Sequence, residues 1–287
     1  MIVTRFAPSP TGFLHLGHAY AAFMAFEAAR AAAGMFLLRI EDIDLTRARP
    51  QFERAIFEDL RWLGLNWQEP VRRQSEHFAD YAAALQQLEA MGLLYPCFCT
   101  RKNIAEEIAR AGLAPTAADL SPEGPLYPGT CRSLPAEIRA RRMEAEAYAL
   151  RLDVGKASER LTRDLVFEEC GRGPNGEHGL QRARPELLGD VVLARKELPT
   201  SYHLAVVVDD ALQGVTLVTR GEDLFPATHI QRLLQGLLGL PTPAYAHHRL
   251  IVDAAGRKFS KRDHAATLAS LRESGTAPEA VRAMVGL

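Results

Sequence analysis

The sequence predicts an α/β fold built on a parallel β-sheet, and three features of its first forty residues support this prediction. Residues 1–6 are short, apolar and partly β-branched, as in a buried strand. Residues 15–33 form an alanine-rich run that ends at Gly34, which is typical of a helix with a glycine stop. Residues 35–40 are again apolar. The order strand, helix, strand predicts a right-handed parallel unit that binds ligands at the carboxyl ends of its strands.

The composition is that of an ordinary globular protein. With 287 residues and 47% hydrophobic residues, the chain can bury a sizeable core, either in one domain with an insertion or in two domains. A net charge of −1 predicts no general affinity for nucleic acid, so any such contact must use local patches. No apolar run reaches about 18 residues and no signal peptide begins the chain, so we expect a cytoplasmic protein without membrane contact.

Later segments continue the pattern. Residues 52–63 and 78–91 have apolar residues at helical spacing and end before glycines. Residues 148–169 alternate roughly as strands. Two apolar segments, 190–195 and 202–210, have a strand or buried-helix pattern, and we expect them to return the chain to the main sheet.

Residues 96–135 differ, because they combine three of the four cysteines with several prolines and glycines, as in a small inserted domain that needs a staple. Four parts are predicted from these patterns. They are 1–95, the first half of the α/β domain; 96–187, the insertion; 188–240, the second half of the α/β domain; and 241–287, a basic loop with short helices.

The turn between the first strand and the first helix carries the first candidate site. Prolines and a glycine within 8–12 end the strand, so the helix begins near His15 and His18. Its N–H groups and positive dipole end then face the carboxyl edge of the strand, which favours an anionic ligand. Gly17 lacks a side chain, so a nucleotide can approach the backbone while the imidazoles donate hydrogen bonds to phosphate. Taken alone, these histidines could equally be helix caps.

A basic loop near the end of the chain carries the second candidate site. Its motif is Lys258-Phe-Ser260-Lys261-Arg262. Two lysines three residues apart supply compact charges that can follow a triphosphate as charge moves onto pyrophosphate, and Ser260 adds a small donor. Taken alone, the motif could be a solvated basic loop. The order and spacing of this motif and the histidine motif resemble those of a known enzyme family, and this resemblance makes a shared nucleotide site the stronger interpretation.

The two motifs, His15-Leu-Gly17-His18 and Lys258-Phe-Ser260-Lys261-Arg262, resemble the HIGH and KMSKS motifs of class I aminoacyl-tRNA synthetases. The resemblance covers essentially the whole chain. It implies a Rossmann-like catalytic domain, an inserted zinc-containing subdomain, a short helical C-terminal region, and Mg²⁺ bound with ATP. The ATP-binding residues that it implies are His15, Gly17, His18, Lys258, Ser260 and Lys261. The catalytic residues that it implies are His15, His18 and Lys261.

The segments Arg5-Phe-Ala-Pro-Ser9 and Arg39-Ile-Glu41-Asp42 are similar to the glutamyl branch of this class. Arginines form forked, charge-assisted pairs with a carboxylate, and an acidic side chain pairs with an amine. The resemblance implies the L-glutamate-binding residues Arg5, Ala7, Ser9, Glu41, Tyr202 and Arg220, each of which could instead have a structural role. The chain departs from the branch at Val206, where an asparagine is common, so one amide contact is missing.

The cysteines predict a metal site. Cys97-Phe-Cys99 and Cys131 supply three thiols, whereas structural zinc normally takes four nitrogen or sulfur ligands. On chemistry alone, Cys170 or a water could be the fourth ligand, and three buried free cysteines are the alternative. The resemblance implies Tyr127, four residues before Cys131, as that ligand. The structural Zn²⁺ ligands that it implies are Cys97, Cys99, Tyr127 and Cys131.

The chain ends about 25 residues after Arg262, too few for the helical part with which full-length glutamyl-tRNA synthetases read an anticodon. This plan is similar to that of a short branch of the family that places glutamate on the queuosine base in the anticodon of tRNA(Asp). The implied partners of a monomeric enzyme are ATP, L-glutamate and the tRNA(Asp) anticodon stem-loop. The alternatives are an enzyme that charges the 3′ end of tRNA(Glu) and a noncatalytic tRNA-binding module.

Overall fold

The computed structural model describes residues 1–110, 120–121, 124–161, 164–251 and 267–287. The strands are β1 (Val3–Phe6), β2 (Met35–Ile40), β3 (Gln68–Arg73), β4 (Leu94–Cys97), β5 (Leu120–Ser121), β6 (Gly124–Pro125), β7 (Ala149–Leu152), β8 (Val166–Glu169), β9 (Gly179–Arg182), β10 (Val192–Arg195), β11 (Leu217–Gly221) and β12 (Ala244–His248). The α-helices are α1 (Leu16–Ala31), α2 (Pro50–Trp62), α3 (Phe78–Ala90), α4 (Arg101–Arg110), α5 (Ala136–Ala145), α6 (Val154–Glu159), α7 (Tyr202–Leu212), α8 (Phe225–Leu238), α9 (Leu268–Glu273) and α10 (Pro278–Met284).

A mostly parallel sheet is the centre of the fold. Strands β1, β2 and β3 pair in that order, and a second set pairs in the order β11, β12, β8, β9. The two sets meet beside β1, because the Thr216 N–H donates to the Val3 carbonyl at 3.0 Å and the Val3 N–H donates to the Thr216 hydroxyl at 2.9 Å. In an open parallel sheet, ligands bind at the carboxyl ends of the strands where the strand order reverses. Here that point lies between β1 and β11, and the predicted α/β fold with a parallel sheet is confirmed.

Two large apolar clusters support the sheet. One joins α1, β2 and α2 to the C-terminal helices α9 and α10, through residues such as Phe23, Ile40, Leu60, Leu268 and Val281. The other joins α3, β10, α7 and α8. The C-terminal helices therefore fold back onto the first half of the chain, close to the start of α1.

A small antiparallel sheet lies beside the main one, with strand order β10, β7, β4. The expectation that residues 190–195 return to the main sheet is wrong, because β10 pairs with β7. Strands β8 and β9 pair with the β11–β12 sheet instead, so strand pairing does not follow the predicted division at 187/188. An apolar run indicates burial but does not identify the partner strand, which explains the error. The four predicted parts of the chain remain predictions.

The predicted helices at 15–33, 52–63 and 78–91 correspond to α1, α2 and α3 with small shifts at their ends. Residues 148–169 are not continuous strands, because Asp153 accepts a hydrogen bond from the Lys156 N–H and caps α6. Residues 202–210 lie in α7, where burial on most sides removes the helical periodicity from the sequence. Within the described residues, no helix is long and apolar enough to cross a membrane.

Candidate active site

The two histidines close the first turn of α1. The Nδ1 atom of His15 accepts from the Gly17 N–H, and Nδ1 of His18 accepts from the His15 N–H, both at 3.1 Å. A neutral imidazole whose Nδ1 accepts carries its proton on Nε2. A Cβ at position 17 would lie 3.1 Å from Cε1 of His15. Glycine at this position therefore leaves room for the His15 imidazole. The histidines are therefore helix caps that use their Nδ1 atoms within the first turn of α1.

The predicted phosphate-binding residues Lys258, Ser260 and Lys261 lie outside the described residues. The next described residue, Thr267, forms an antiparallel bridge with His15, and the Leu268 N–H donates to the Leu14 carbonyl at 2.8 Å. The chain that follows the lysine motif thus returns to the first turn of α1.

A cavity of about 530 Å³ opens at the carboxyl end of β1. Residues with polar groups or backbone facing it include Ala7, Ser9, His18, Glu41, Asp44 and Tyr202. Four of the six predicted glutamate-binding residues, one predicted ATP-binding histidine and the start of α7 therefore share one space. Burial raises the pKa of Glu41, although Arg39, 3.3 Å away, opposes this shift. A cationic group bound beside Glu41 would favour its ionised form.

Arg220 lies behind this cavity with neutral partners. Its Nη1 donates to the Gln231 amide oxygen at 2.8 Å and to the Tyr202 hydroxyl at 3.4 Å, and its Nη2 donates to the Thr228 hydroxyl at 2.6 Å. Its Nε donates to Nε2 of His247 at 3.0 Å. Although Arg220 is only 5% exposed, it forms no ion pair with any carboxylate in the described part of the chain. The Gln231 amide nitrogen is also buried without a partner there. The Arg220 guanidinium and the Gln231 amide nitrogen can therefore both donate hydrogen bonds to an anionic ligand.

Arg5 has a different environment. Its Nε donates to Asp210 at 3.0 Å, and Asp210 also accepts from Arg39 at 2.8 Å. Burial raises the pKa of Asp210, but Arg5 and Arg39 outweigh it and hold that pKa below its usual range. Nη1 of Arg5 donates to the Thr219 carbonyl at 3.4 Å, so Arg5 shares its charge with Asp210 and also contacts the backbone of β11.

The ionic network continues through Asp209, which is fully buried. It accepts from Arg72 at 2.7 Å, from the Gln74 amide at 2.8 Å and from the Tyr81 hydroxyl at 3.0 and 2.9 Å. Gln74 also lines the cavity. Sequence reasoning assigned no role to Asp209 or Asp210, although two acids in a buried helix that begins Tyr-His-Leu-Ala-Val-Val-Val are a signal that arginine partners must exist.

A second cavity of about 470 Å³ adjoins the first, and the two share Leu198 and Tyr202. It lies between the small antiparallel sheet and the start of α7. Its polar lining includes Tyr127, Arg151, Asp190, Arg195 and Ser201. The side chain of Val206 is buried in the core, so the position where an amide was expected contributes apolar packing.

Three of the four cysteines form a cluster that could hold a metal ion. The Sγ atoms of Cys97, Cys99 and Cys131 lie within 4.8 Å of one another, and those of Cys99 and Cys131 are 3.5 Å apart. Thiolates bound tetrahedrally to zinc at about 2.3 Å are roughly 3.8 Å apart, so the spacing fits. The Tyr127 hydroxyl lies 3.6 Å from Cys99 Sγ, while Cys170 is exposed and outside the cluster. The Tyr127 hydroxyl therefore lies beside the three thiols, whereas Cys170 does not.

The cluster has uneven thiol acidities. Burial raises the pKa of the Cys99 thiol to about 12, and the neighbouring cysteines add to this shift. Burial also raises the pKa of Cys97, but hydrogen bonds from Tyr127 and Arg151 outweigh it and lower the pKa below its usual value. A divalent cation would favour the thiolate form of all three cysteines.

Comparisons with known proteins identify the family of this chain. The family model described as the catalytic domain of class I tRNA synthetases (E and Q) matches residues 1–287. A glutamyl-Q tRNA(Asp) synthetase from Rhodobacter capsulatus is 50% identical over 291 aligned residues, with 100% of both chains covered. Glutamate–tRNA ligase 2 from Nitrosococcus oceani is 40% identical, and the match covers 97% of this chain and 57% of that protein. A solved glutamate tRNA ligase from Elizabethkingia meningosepticum, in complex with its amino acid, matches with a TM-score of 0.79 and 30% identity over 100% of this chain and 60% of that one.

Proposed function

Because this chain belongs to the class I tRNA synthetases (E and Q), we propose that it activates L-glutamate with ATP and transfers the glutamate to the queuosine base in the anticodon of tRNA(Asp). The observation that carries this proposal is the cavity that unites Ala7, Ser9, Glu41 and Tyr202, with Arg220 behind it. An acid for an ammonium group and an arginine that pairs with no acid among the described residues are the groups that a free amino dicarboxylic acid requires.

In the proposed complex, Arg220 binds the side-chain carboxylate of glutamate, because its charge is not used by a protein carboxylate in the described residues. Arg5 contributes a second, weaker contact, since Asp210 already shares its charge. Glu41 pairs with the ammonium group, and Tyr202 orients the substrate through its hydroxyl, which Arg220 contacts. Ala7 and Ser9 supply backbone and hydroxyl contacts beside it.

ATP binds at the start of α1 in this proposal. His15 and His18 donate from Nε2 to its phosphates, and Gly17 lets the nucleotide approach the helix backbone. The segment that carries Lys258, Ser260 and Lys261 completes the site, since the chain after it returns to His15 at Thr267. Mg²⁺ bound with ATP would offset phosphate charge.

The chemistry has two steps. First, the glutamate α-carboxylate attacks the α-phosphate of ATP, pyrophosphate leaves, and glutamyl-adenylate forms. His15, His18 and Lys261 stabilise the charge that develops on phosphate oxygens. Next, a hydroxyl of the queuosine cyclopentene ring attacks the activated carbonyl, and AMP leaves. The second cavity, which shares Tyr202 with the first, is the proposed site of the accepting nucleoside. Single-stranded anticodon bases can be splayed out to enter such a cavity.

We propose that the inserted part of the chain is stabilised by zinc bound to Cys97, Cys99, Tyr127 and Cys131. The sulfur spacing and the tyrosine oxygen support this ligand set. Metal analysis of the purified protein should give one zinc per chain, and Cys131→Ser should lower this value strongly. Cys170→Ser is the matched control, because Cys170 lies outside the cluster. Equal zinc content in both variants would contradict the assignment.

A monomeric enzyme that charges the 3′ end of tRNA(Glu) is the second candidate, because relatives named glutamate–tRNA ligases are 38–40% identical. The relatives named glutamyl-Q tRNA(Asp) synthetase, at 43–50% identity, favour the first. Incubation with labelled glutamate, ATP and purified tRNAs decides between them. We expect label on tRNA(Asp) that contains queuosine and none on tRNA(Asp) that lacks it. Label on tRNA(Glu) alone would contradict the proposal, and size-exclusion chromatography with light scattering tests the monomer.

A further inference from the structure

Two buried residues, Glu169 and His247, lie next to Arg220 on the side away from Tyr202 and are linked to it by hydrogen bonds. Glu169, at the end of β8, and His247, near the end of β12, are 0% and 3% exposed. The two residues contact each other twice, because Oε2 of Glu169 lies 2.5 Å from Nδ1 of His247 and Oε1 accepts from the His247 N–H at 2.9 Å. Neither residue lines either cavity, and both connect to the cavity wall through Arg220, which contacts His247 on one side and the Tyr202 hydroxyl on the other.

The hydrogen bonds fix the protonation of the imidazole. Because the guanidinium of Arg220 can only donate, Nε2 of His247 must accept, so a neutral imidazole carries its proton on Nδ1 and donates it to Oε2 of Glu169. Nε of Arg220 donates to that acceptor at 3.0 Å. Burial lowers the pKa of His247 to about 4, which keeps this ring neutral near pH 7. Carboxylate, neutral imidazole and guanidinium thus form a linear chain of hydrogen bonds.

The ring of His247 has little freedom to move. It stacks on Tyr245 with a centroid separation of 6.0 Å and an interplanar angle of 6°, and it meets the edge of Phe225 at 5.1 Å. The backbone of Gly171 lies so close that a Cβ there would be 2.3 Å from the His247 carbonyl oxygen. The Gly171 N–H also donates to Oε1 of Glu169 at 2.9 Å, which holds the carboxylate in place.

We propose that Glu169 and His247 are positioning residues for glutamate recognition: Glu169 holds His247 in the Nδ1–H tautomer, and Nε2 of His247 then orients Arg220 toward the substrate carboxylate. This arrangement places one imidazole between Glu169 and Arg220. A carboxylate in direct contact with Arg220 would compete with the substrate for the guanidinium, as Asp210 does for Arg5. The proposal rests on the proposed function for the identity of the carboxylate that Arg220 binds.

The first test is kinetic and uses glutamate-dependent pyrophosphate exchange. His247→Met removes the acceptor and should raise KM for glutamate about tenfold or more, because a hydrogen bond to a charged group is lost. His247→Gln can place an amide oxygen near Nε2, so its KM should stay within about threefold of the wild type. In both variants we expect KM for ATP to be unchanged and kcat to change by less than about threefold.

His229→Met is the matched control. His229 is equally buried and has a pKa lowered to about 4, mainly by burial, but its Nδ1 accepts from the Arg184 N–H and it has no hydrogen bond with Arg220. The KM of the His229→Met variant for glutamate should equal that of the wild type. Circular dichroism melts identify any variant that does not fold. A folded His247→Met variant with wild-type KM for glutamate, or with an equal rise in KM for ATP, would overturn the proposal.

The second test measures the tautomer directly. In Glu169→Gln, the amide nitrogen can donate to Nδ1 of His247, so the ring proton would move to Nε2. Nε2 would then no longer accept from the Nε–H of Arg220, because both atoms would carry a proton. Nitrogen-15 NMR of histidine-labelled protein should therefore show protonated Nδ1 in the wild type and protonated Nε2 in Glu169→Gln, with His247→Gln identifying the signals. We expect the same variant to have a KM for glutamate raised about tenfold.

A changed tautomer with an unchanged KM would overturn the positioning role, and so would Nε2 protonation in the wild type. Absence of glutamate-dependent exchange in the wild type would instead contradict the proposed function. The tautomer measurement would still decide whether Glu169 orients His247 in that case.

Discussion

Arg5 and Arg220, the two arginines proposed to bind glutamate, are buried to the same extent, 5% exposed, but differ in their partners. Arg5 contacts Asp210, which also pairs with Arg39. Arg220 contacts a hydroxyl, an amide oxygen and an imidazole. Burial therefore does not distinguish a structural arginine from a ligand-binding one. The charge of its partners does, because an arginine without a protein carboxylate keeps its charge for an anionic substrate.

The largest expected effect comes from removing Asp210, which separates stability from binding on the Arg5 side. Asp210→Ala leaves Arg5 and Arg39 without their shared carboxylate, and loss of one partner in a buried ionic network costs about 3–5 kcal/mol. Urea unfolding measures this change in the free energy of unfolding. Asp164→Asn is the control, because the Asp164–Arg182 pair is about 70% exposed and should contribute less than about 1 kcal/mol. Equal effects in both variants would contradict the structural role of Asp210.

Replacing Arg220 should have the opposite result, a small loss of stability and a large loss of activity with glutamate. Arg220→Met leaves neutral acceptors behind, so we expect a loss of stability of about 1–2 kcal/mol. Glutamate loses its proposed charge partner, so kcat/KM for glutamate in pyrophosphate exchange should fall about 100-fold or more, equivalent to about 3 kcal/mol. Arg220→Lys should recover part of this loss, because it keeps the charge without the planar fork.

Destabilisation of Arg220→Met as large as that of Asp210→Ala would remove the contrast between the two sides. An unchanged KM for glutamate in Arg220→Met would remove Arg220 from the glutamate site.

The sequence predicts the local half of this comparison better than the non-local half. The first turn of α1, with His15, Gly17 and His18, follows from neighbouring residues, and the structure has the predicted strand, turn and helix. The contact between Arg39 and Asp210 joins residues 171 positions apart, and that between Glu169 and His247 joins residues 78 positions apart. Such pairs produce no periodic pattern, so only their residue types, charged groups within apolar segments, signal them.

The same limit explains the misplaced strand. β10 has the short apolar pattern of a main-sheet strand, yet it pairs with β7 in the small sheet. The apolar pattern of a segment indicates that the segment is buried. The strand with which it pairs depends on contacts with residues far away in the sequence. The glutamate-binding assignments depended on resemblance, and the hydrogen-bond partners that rank Arg220 above Arg5 became visible only in three dimensions.

The proposed ATP site at the start of α1 extends the comparison from arginines to an imidazole, the side chain of His15. Gly17→Ala would place a Cβ 3.1–3.2 Å from the His15 ring and displace the imidazole. We expect the exchange rate at saturating ATP and glutamate to fall about tenfold, because a misplaced donor stabilises the transition state less. KM for glutamate should not change, in contrast to Arg220→Met. Gly155→Ala is the control, since a Cβ there meets its nearest neighbour at an ordinary 3.6 Å. A wild-type rate in Gly17→Ala would show that the ring position is not critical.

The last comparison concerns Asp59 of α2, a buried acid with a single arginine close to it among the described residues. It is fully buried, and its carboxylate lies 3.3 Å from Nε of Arg272, whose Nη2 pairs with Glu58 at 2.9 Å. Burial raises the pKa of Asp59 to about 6, and Arg272 offsets only part of that shift. Asp210, with two arginines, has its pKa lowered instead. The two arginines that donate hydrogen bonds to Asp210 outweigh the effect of its burial on the pKa, whereas Arg272 does not outweigh the burial of Asp59.

An unfolded aspartate has a pKa near 3.9, so between about pH 4 and pH 6 the folded state binds more protons at Asp59 than the unfolded state does. Its contribution to stability is therefore most favourable below pH 4 and falls as the pH rises through 6. Relative to Asp59→Asn, the wild type should lose about 2 kcal/mol of unfolding free energy between pH 4 and pH 7, measured by urea titration. Parallel curves for the two proteins would mean that Arg272 alone suffices to keep Asp59 ionised. Because Arg272 lies on α9, directly after the bridge between Thr267 and His15, that result would also make this pair a firm anchor for the end of the chain beside the proposed ATP site.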